Sequence, residues 1–226
     1  MKKLILVFIA AFVSFEMNAQ SFYKGALVTE LRTGIEVYNI YSSVSQNLGN
    51  RSRDTVYTDK AANSYFGFGA EYGLHKMLGV GVSFNTHKFF SETDSASGKK
   101  PDTRANVFLV MLNFHPVTTK KFDLVIGSDI GYSSFKYKTF DKDNTILTGK
   151  GMYFSAYLNP RIYFGAFGIN FKLSTPFMKY SNVTTNNADF NKNTTYNYLK
   201  LSAAWGLSFG VQYRFIKNKS AEKTTN

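Results

Sequence analysis

The most constraining feature of this sequence is a period-two alternation of apolar and polar residues that recurs in eight segments. The segments span residues 26–41, 64–74, 77–90, 105–117, 122–138, 152–164, 167–180 and 198–215. Such alternation is typical of a β-strand whose two faces meet different environments. The chain is also rich in aromatic residues and glycine but has only four prolines, a balance that favours strands. We therefore predict an all-β fold of eight strands.

The connections between these segments alternate in length. Three are short, at residues 75–76, 118–121 and 165–166, and are typical of tight hairpins. Four are long and polar, at residues 42–63, 91–104, 139–151 and 181–197. Short turns at one end and long loops at the other indicate an antiparallel up-and-down meander. This plan is that of a small barrel that spans a bacterial outer membrane, with periplasmic turns and extracellular loops.

The residue types on the two faces distinguish a membrane barrel from a soluble barrel, which has its apolar face inside. In segment 198–215, nine alternate positions from Leu199 to Phe215 carry no charge. The positions between them hold mainly glycine, serine, glutamine and a few charged residues. A face of this kind differs from a solvated surface, which would be rich in lysine, glutamate and threonine. We therefore predict that the apolar face meets lipid and that the polar face lines a closed interior.

The predicted inner face carries scattered charges that nearly balance, with four acids and five bases. Because an unpaired buried charge is costly, we expect these side chains to form a connected network. The predicted network comprises Glu30, Arg32, Glu36, Glu71, Asp129, Arg161, Lys172, Lys200 and Arg214. For Glu71, which has no base on its own strand, the five bases of this network are the available partners, and we name Arg32 on the first strand first. The alternative is a set of unrelated solvated charges.

Aromatic residues cluster at the short-turn ends of the segments, where a girdle at the membrane interface would lie. They are Tyr72, Phe114, Phe122, Phe164, Phe167, Tyr213 and Phe215. The last strand also ends in alternating apolar and aromatic residues, from Phe209 to Phe215. In these features residues 26–215 resemble the small Gram-negative outer-membrane β-barrels of the OmpA/OmpX type, often grouped as the porin-like outer-membrane β-barrel domain family. The resemblance implies an eight-stranded antiparallel up-and-down transmembrane β-barrel.

The N-terminal residues indicate export. Lys2 and Lys3 precede the apolar run 4–15, and Ala19 supplies a small residue for cleavage. We expect a signal peptide at residues 1–19, the barrel at 20–215 and a short polar tail at 216–226. The expected location is the outer membrane of a Gram-negative bacterium. The expected partners are outer-membrane lipid and lipopolysaccharide, the barrel assembly machinery, and an extracellular ligand or protein at the loops. Export argues against nucleic acid as a partner, despite a net charge of +12.

Few residues support catalysis or metal binding. The absence of cysteine excludes thiol catalysis, disulfides and iron–sulfur clusters. Some barrels of this size modify lipid A as a palmitoyltransferase or a deacylase, and His87, near Ser83 and Asn85 on one strand, is the histidine placed for such chemistry. Asp141 and Asp143 lack the glycine and the distal glutamate of a calcium loop. We predict no enzyme activity, no cofactor and no metal site.

The sequence thus predicts a barrel with a closed polar interior and a structural or surface-interaction role, with the four long loops as the contact surface. Eight strands enclose a bore only wide enough for side chains. Tyr153, Tyr157 and Tyr163 on the predicted inner face add bulk to it. Two alternatives remain: a passive channel for small solutes, and a lipid A-modifying enzyme that uses His87.

Overall fold

A computed structural model describes residues 21–47, 52–92, 98, 100–138, 146–188 and 194–215. Its strands are β1 (Leu27–Asn47), β2 (Ser52–His75), β3 (Leu78–Phe89), β4 (Asp102–Thr118), β5 (Phe122–Lys138), β6 (Ile146–Phe164), β7 (Phe167–Thr185) and β8 (Thr194–Phe215). Within these ranges no helix is long and apolar enough to cross a membrane. The predicted signal peptide, the polar tail, and Asp141 and Asp143 lie outside the described residues.

The eight strands form one closed antiparallel sheet, in which each strand pairs with its neighbours in chain order and β1 also pairs with β8. The predicted all-β up-and-down barrel is therefore confirmed. β2 and β3, β4 and β5, and β6 and β7 are joined by tight turns at one end, as the spacing predicts. At the last of these turns Gly165 has a φ of 71°, a left-handed conformation that glycine adopts without strain.

The register of the strands determines how far they tilt from the barrel axis. A path of paired residues that leaves β1 at Glu30 and goes once around the sheet returns to β1 at Ile40, ten residues further along (40 − 30). With about 3.3 Å per residue and about 4.8 Å between strands, this displacement tilts the strands by about 40° from the barrel axis. Each residue of a strand therefore rises about 2.5 Å along the axis.

The strands extend beyond the alternating segments at the loop end. β2 begins at Ser52 rather than at residue 64, and β1 continues to Asn47, where these two residues pair. β6 and β8 likewise begin at Ile146 and Thr194, before the predicted residues 152 and 198. Where a sheet extends past the lipid, both of its faces meet water, so the alternation of apolar and polar residues ends while the backbone pairing continues. The pattern predicts the membrane-embedded part of a strand, not its full length.

The two faces of the sheet differ as predicted. On β4, the inward side chains from Ala105 to His115 are buried at every second position, and the side chains between them are exposed. Large apolar side chains around the whole barrel point outward and are about half exposed, among them Phe66, Phe108 and Leu158. The inward side chains are largely polar and buried. The barrel therefore has its apolar side chains outside and its polar side chains inside, the opposite of a water-soluble protein.

One part of β8 departs from the predicted faces. A register shift opposite residues 37–39 of β1 places an extra residue in β8 between Ser202 and Trp205. Because a shift of one residue exchanges the two faces of a strand, Leu201 points inward and is buried. Lys200, predicted inside, lies instead on the outer face, where its ammonium group is 5.6 Å from the ring centre of Tyr41. The assignments of Lys200 to the interior and of Leu201 to the lipid face are therefore wrong.

Residues 21–26, ahead of β1, close the turn end of the barrel. The Ser21 amide donates to the Thr119 carbonyl oxygen at 2.6 Å, and the Gly25 amide donates to the Gly73 carbonyl oxygen at 2.7 Å. Phe22 is fully buried inside this segment. The sequence does not predict this plug, because six residues are too few to show a period.

Candidate functional site: a closed interior beneath an apolar cup

The barrel interior consists of three polar layers stacked along the axis, followed by an apolar layer and an open cup at the loop end. We call the polar layers the turn layer, the middle layer and the upper layer, counted from the short-turn end. Except for Lys200, every residue of the predicted charge network lies in this interior and is buried. The contacts that follow show how each layer fills the bore.

The turn layer is built around Glu71 and His115. Glu71 accepts from Arg161 Nη1 at 2.7 Å and lies 2.9 Å from His115 Nε2. His115 Nδ1 lies 2.9 Å from Asp123 Oδ1, and Asp123 is also 3.7 Å from Arg161. The Phe22 ring stacks on the His115 imidazole with 3.6 Å between ring centres. Two acids, one arginine and one histidine are thus sealed together beneath the plug.

The pairing of Glu71 with Arg32, which was named first, is wrong, and Arg161, another of the expected bases, is the partner. In the β1–β2 register Arg32 is opposite Gly67, four residues from Glu71, a separation of about 13 Å along the strand. Glu71 instead pairs across the bore with Arg161 of β6. In a narrow barrel, long side chains reach strands on the opposite wall, so order along the chain does not determine the partner.

The middle layer joins Arg32 to both walls. Its guanidinium pairs with Glu30 and donates to Ser83 Oγ at 2.9 Å and to Asn85 Oδ1 at 3.1 Å. Asn170 of β7 donates to the other oxygen of Glu30 at 3.0 Å. The layer therefore links β1, β3 and β7 through side chains.

A second ion pair crosses the bore at the same depth. Lys172 Nζ donates to Asp129 Oδ2 at 2.6 Å and lies 3.5 Å from the ring centre of Tyr157. The Tyr157 hydroxyl donates to Asn113 Oδ1 at 2.5 Å. Both charged groups are buried, so the ring and the hydrogen bonds replace the water that the ions would otherwise hold.

The upper layer surrounds Glu36. Its carboxylate accepts from the Tyr38 hydroxyl, from Asn63 Nδ2 at 3.3 Å and from the Tyr153 hydroxyl at 3.2 Å. His87 Nδ1 lies 3.2 Å from the same carboxylate. Side chains from four strands thus meet at one acid in the upper part of the bore.

Arg214 and the aromatic residues lie at the turn end. Arg214 donates to the carbonyl oxygens of Ser21 at 2.5 Å and Gly165 at 3.0 Å. The residues predicted as a girdle point outward there and are exposed, except Phe122, which is half-buried. The rings of Phe167 and Tyr213 are 5.1 Å apart.

Three buried acidic or histidine residues were not predicted as members of the network: Asp123, His115 and His87. Asp123 lies two residues before the inward Val125 and on the same face of β5. The period of two therefore indicates that Asp123 also points inward. The sequence gives no role to His115, and it indicates His87 only as a catalytic candidate. Ser83 and Asn85, its expected neighbours, bond to Arg32.

An apolar layer extends from the level of Ser83, which pairs with Leu109, past Glu36 toward the loop end. It comprises the buried side chains Tyr38, Ala105, Val107, Leu109, Phe135, Tyr153, Met178, Tyr180 and Leu201. The Phe135 and Tyr180 rings meet edge to face at 4.6 Å, and the Tyr180 hydroxyl is 2.8 Å from Ser133 Oγ. The members Phe135, Tyr180 and Leu201 of this layer also line the open space at the loop end and form its floor.

Above this floor the barrel opens into a cup of about 920 Å³. Its walls are mainly apolar, formed by Ile40, Ala61, Ala62, Phe89, Phe90, Phe135, Tyr137, Leu147, Tyr180, Val183, Leu199 and Leu201. Polar side chains, among them Asp59, Glu92 and Thr103, also line it. The volume lies within the range of small-molecule sites, which are typically apolar with a few polar groups.

No protein-family model matches the sequence, and no characterised protein is detectably similar in sequence. Among the solved structures that are similar in fold over most of the chain are two outer-membrane proteins. The outer membrane protein OprG from Pseudomonas aeruginosa has a TM-score of 0.55 and 15% identity, covering 88% of this chain and 100% of OprG. The chain has the fold of a small outer-membrane β-barrel. The outer membrane protein AlkL, solved in lipid bilayers, has a TM-score of 0.53 and 13% identity, covering 92% of this chain and 99% of AlkL.

The exterior agrees with this fold. A closed sheet leaves no unpaired strand edge, and the outward apolar side chains would be unfavourable in water but are stable in hydrocarbon. The protein is therefore a membrane-spanning barrel of the Gram-negative outer-membrane type.

Proposed function

We propose that this outer-membrane barrel is a surface-binding protein that does not conduct solutes and that holds an apolar small molecule in the cup at its extracellular end. The observation that carries the proposal is the combination of an open apolar cup with a bore that is filled beneath it. A porin would need a continuous polar path, and a purely structural barrel would have no use for an open cup.

The filled bore supports the non-conducting part of the proposal. A solute that moves from the cup into the bore would first meet the apolar layer at Met178 and Tyr180. It would then meet the upper layer around Glu36. Below them lie the Lys172–Asp129 pair and the sealed turn layer. Opening a path would separate several buried ion pairs, and separating even one costs about 3–5 kcal/mol.

The composition of the cup supports an apolar or amphipathic ligand. Ile40, Leu199 and Val183 are half-buried in the empty cup and would be covered further by a bound molecule. Burial of apolar area contributes about 25 cal/mol per Å². The polar side chains that also line the cup, such as Asp59 and Thr103, offer sites for one polar group of an amphipathic ligand. The long loops, which leave from the strands around the cup, would then select among ligands.

The lipid A-modifying alternative receives less support from the same geometry. His87 is fully buried beside Glu36, beneath the rim of the barrel. Ser83, the nearest serine on its strand, is bonded to Arg32. A nucleophile and its base would have to be within hydrogen-bond reach of each other and of the lipid.

Methyl NMR of the refolded protein in lipid nanodiscs tests the proposal, with 1-naphthol as an apolar probe. We expect saturable shifts of the Ile40, Val183 and Leu199 methyl groups and no saturable shift of the lipid-facing Leu158 methyl groups. Leu199→Glu places a charge in the cup and should weaken probe binding by about tenfold or more. The matched control is Asn39→Glu, which introduces a charge on the outer face of β1.

Two outcomes would contradict the proposal. One is a set of shifts that rise linearly with probe concentration at cup and lipid-facing methyl groups alike, which would mean simple partitioning. The other is an equal loss of binding in Leu199→Glu and Asn39→Glu. Steady porin-like conductance in a planar bilayer would instead support the channel alternative.

A further inference from the structure

The outer face of the barrel carries a basic groove at the loop end, separate from the cup. Arg104, Lys136 and Lys150 are exposed around a cavity of about 600 Å³ on strands β4, β5 and β6. Polar residues complete the lining, among them Asn106, Ser134, Thr148 and Thr184. We call this feature the basic groove.

The register places like charges side by side in this region. Lys88 of β3 is the direct partner of Arg104, and Arg104 is the direct partner of Lys136. Directly opposed like charges on one face of a sheet are destabilising. Asp102 relieves part of the repulsion, because its Oδ1 is 3.0 Å from Arg104 Nε. The remaining positive charges favour a bound anion.

The height of the basic groove places it at the level of lipid headgroups. The outward positions of β6 from Met152 to Phe164 alternate with buried ones and are apolar throughout. These twelve residue steps (164 − 152) cover about 30 Å along the barrel axis, the thickness of a hydrocarbon core. Lys150 is the next outward position toward the loop end. Its ammonium group therefore lies where the hydrocarbon of the outer leaflet ends.

We propose that the basic groove binds the phosphate groups of an outer-leaflet lipid whose headgroup carries two phosphate monoesters, as lipid A does. The three basic side chains lie on adjacent strands, and neighbouring ones are about 5–10 Å apart. Two of these side chains can therefore hold one phosphate group, and the third can hold the second phosphate group. Arginine forms bidentate hydrogen bonds to phosphate, and lysine adds a point charge at the end of an apolar stem. The proposal does not depend on whether the cup binds a ligand.

Lipid retention measured by native mass spectrometry tests this site. The refolded protein is extracted from vesicles that contain equal amounts of diphosphoryl lipid A, dephosphorylated lipid A and phosphatidylglycerol. We expect the parent protein to retain diphosphoryl lipid A selectively. Each basic side chain near an anionic surface contributes about fivefold in affinity, so the triple variant Arg104→Gln, Lys136→Gln, Lys150→Gln should bind diphosphoryl lipid A about 100-fold more weakly.

A matched control removes the same charge from the other end of the barrel. Lys24, Lys120 and Lys121 are exposed at the turn end, and their replacement by glutamine should leave retention unchanged. The single variant Lys150→Gln should lose about fivefold, and Lys150→Arg should retain binding. A heat-modifiable shift on gel electrophoresis verifies that each variant is folded.

The proposal is overturned by either of two results. The first is equal retention of diphosphoryl lipid A by the triple variant and the turn-end control. The second is retention of phosphatidylglycerol at the same level as diphosphoryl lipid A, which would mean that the groove attracts any anionic headgroup and has no preference for two phosphates.

Discussion

Replacement of Glu71 by glutamine is the sharpest test of the closed interior. The side chain keeps its size but loses its charge, while Arg161 Nη1 at 2.7 Å and His115 Nε2 at 2.9 Å keep their positions. The Glu71 and Arg161 side chains are only 3% and 4% exposed, so water does not replace the lost partner.

The expected loss of stability follows from this burial. Breaking a buried ion pair by removing one partner costs about 3–5 kcal/mol, because a charge is left uncompensated. Asp123 lies 3.7 Å from the same nitrogen of Arg161 and compensates part of its charge. We therefore expect a decrease in the free energy of unfolding near the lower end of that range, about 3 kcal/mol.

Urea unfolding of the refolded protein in lipid vesicles measures this change. The single tryptophan, Trp205, lies on the outer face and is half exposed in the isolated chain, so its fluorescence reports exit from lipid. The matched control is Asp102→Asn, which breaks the exposed pair with Arg104 and should cost under ~1 kcal/mol. Equal stability of Glu71→Gln and the parent protein would refute the reasoning, since it would mean that water fills the bore.

Three further predictions test other parts of the structure. The refolded barrel should show no steady single-channel conductance in planar bilayers, because buried side chains fill every layer of the bore; conductance of porin size would contradict this. Gly131→Ala should destabilise the barrel by about 1–3 kcal/mol or prevent its assembly, measured by gel mobility, because the new Cβ would overlap the Phe108 backbone carbonyl. In this cysteine-free chain, a Lys200→Cys variant should react with a maleimide and Leu201→Cys should not; the opposite labelling would show that the β8 bulge is absent.

Much of the fold was predictable because a barrel in lipid forces a period of two onto every strand. The strand number, the meander and the two faces all follow from that period. The Lys200 error arose at a bulge, which adds one residue without changing the composition of the strand. No local signal in segment 198–215 marks it, since apolar Leu199 and Leu201 suit the apolar cup as well as they suit lipid.

The sequence predicts which side chains point into the interior, but it does not predict which of them pair with one another. The alternation with outward apolar residues predicted that Glu71 and Arg161 point into the interior. It did not predict that they pair, because β2 and β6 are four strands apart in chain order (6 − 2). Pairing across the bore depends on depth along the tilted axis and on side-chain length, which a single sequence does not reveal. The Phe22 plug was missed for a related reason, because its partner His115 is distant in the sequence.

The paired extension of β1 and β2 carries the sheet beyond the lipid at the loop end. From Asn39, the first polar residue on the outer face of β1 after Ile35 and Val37, to the Asn47–Ser52 pair, β1 advances eight residues (47 − 39), or about 20 Å along the axis. An epitope tag inserted between these two strands would therefore stand above the lipid on a rigid ribbon of sheet. With the loop end outside the cell, as proposed, antibodies and phages would meet this paired end of the sheet.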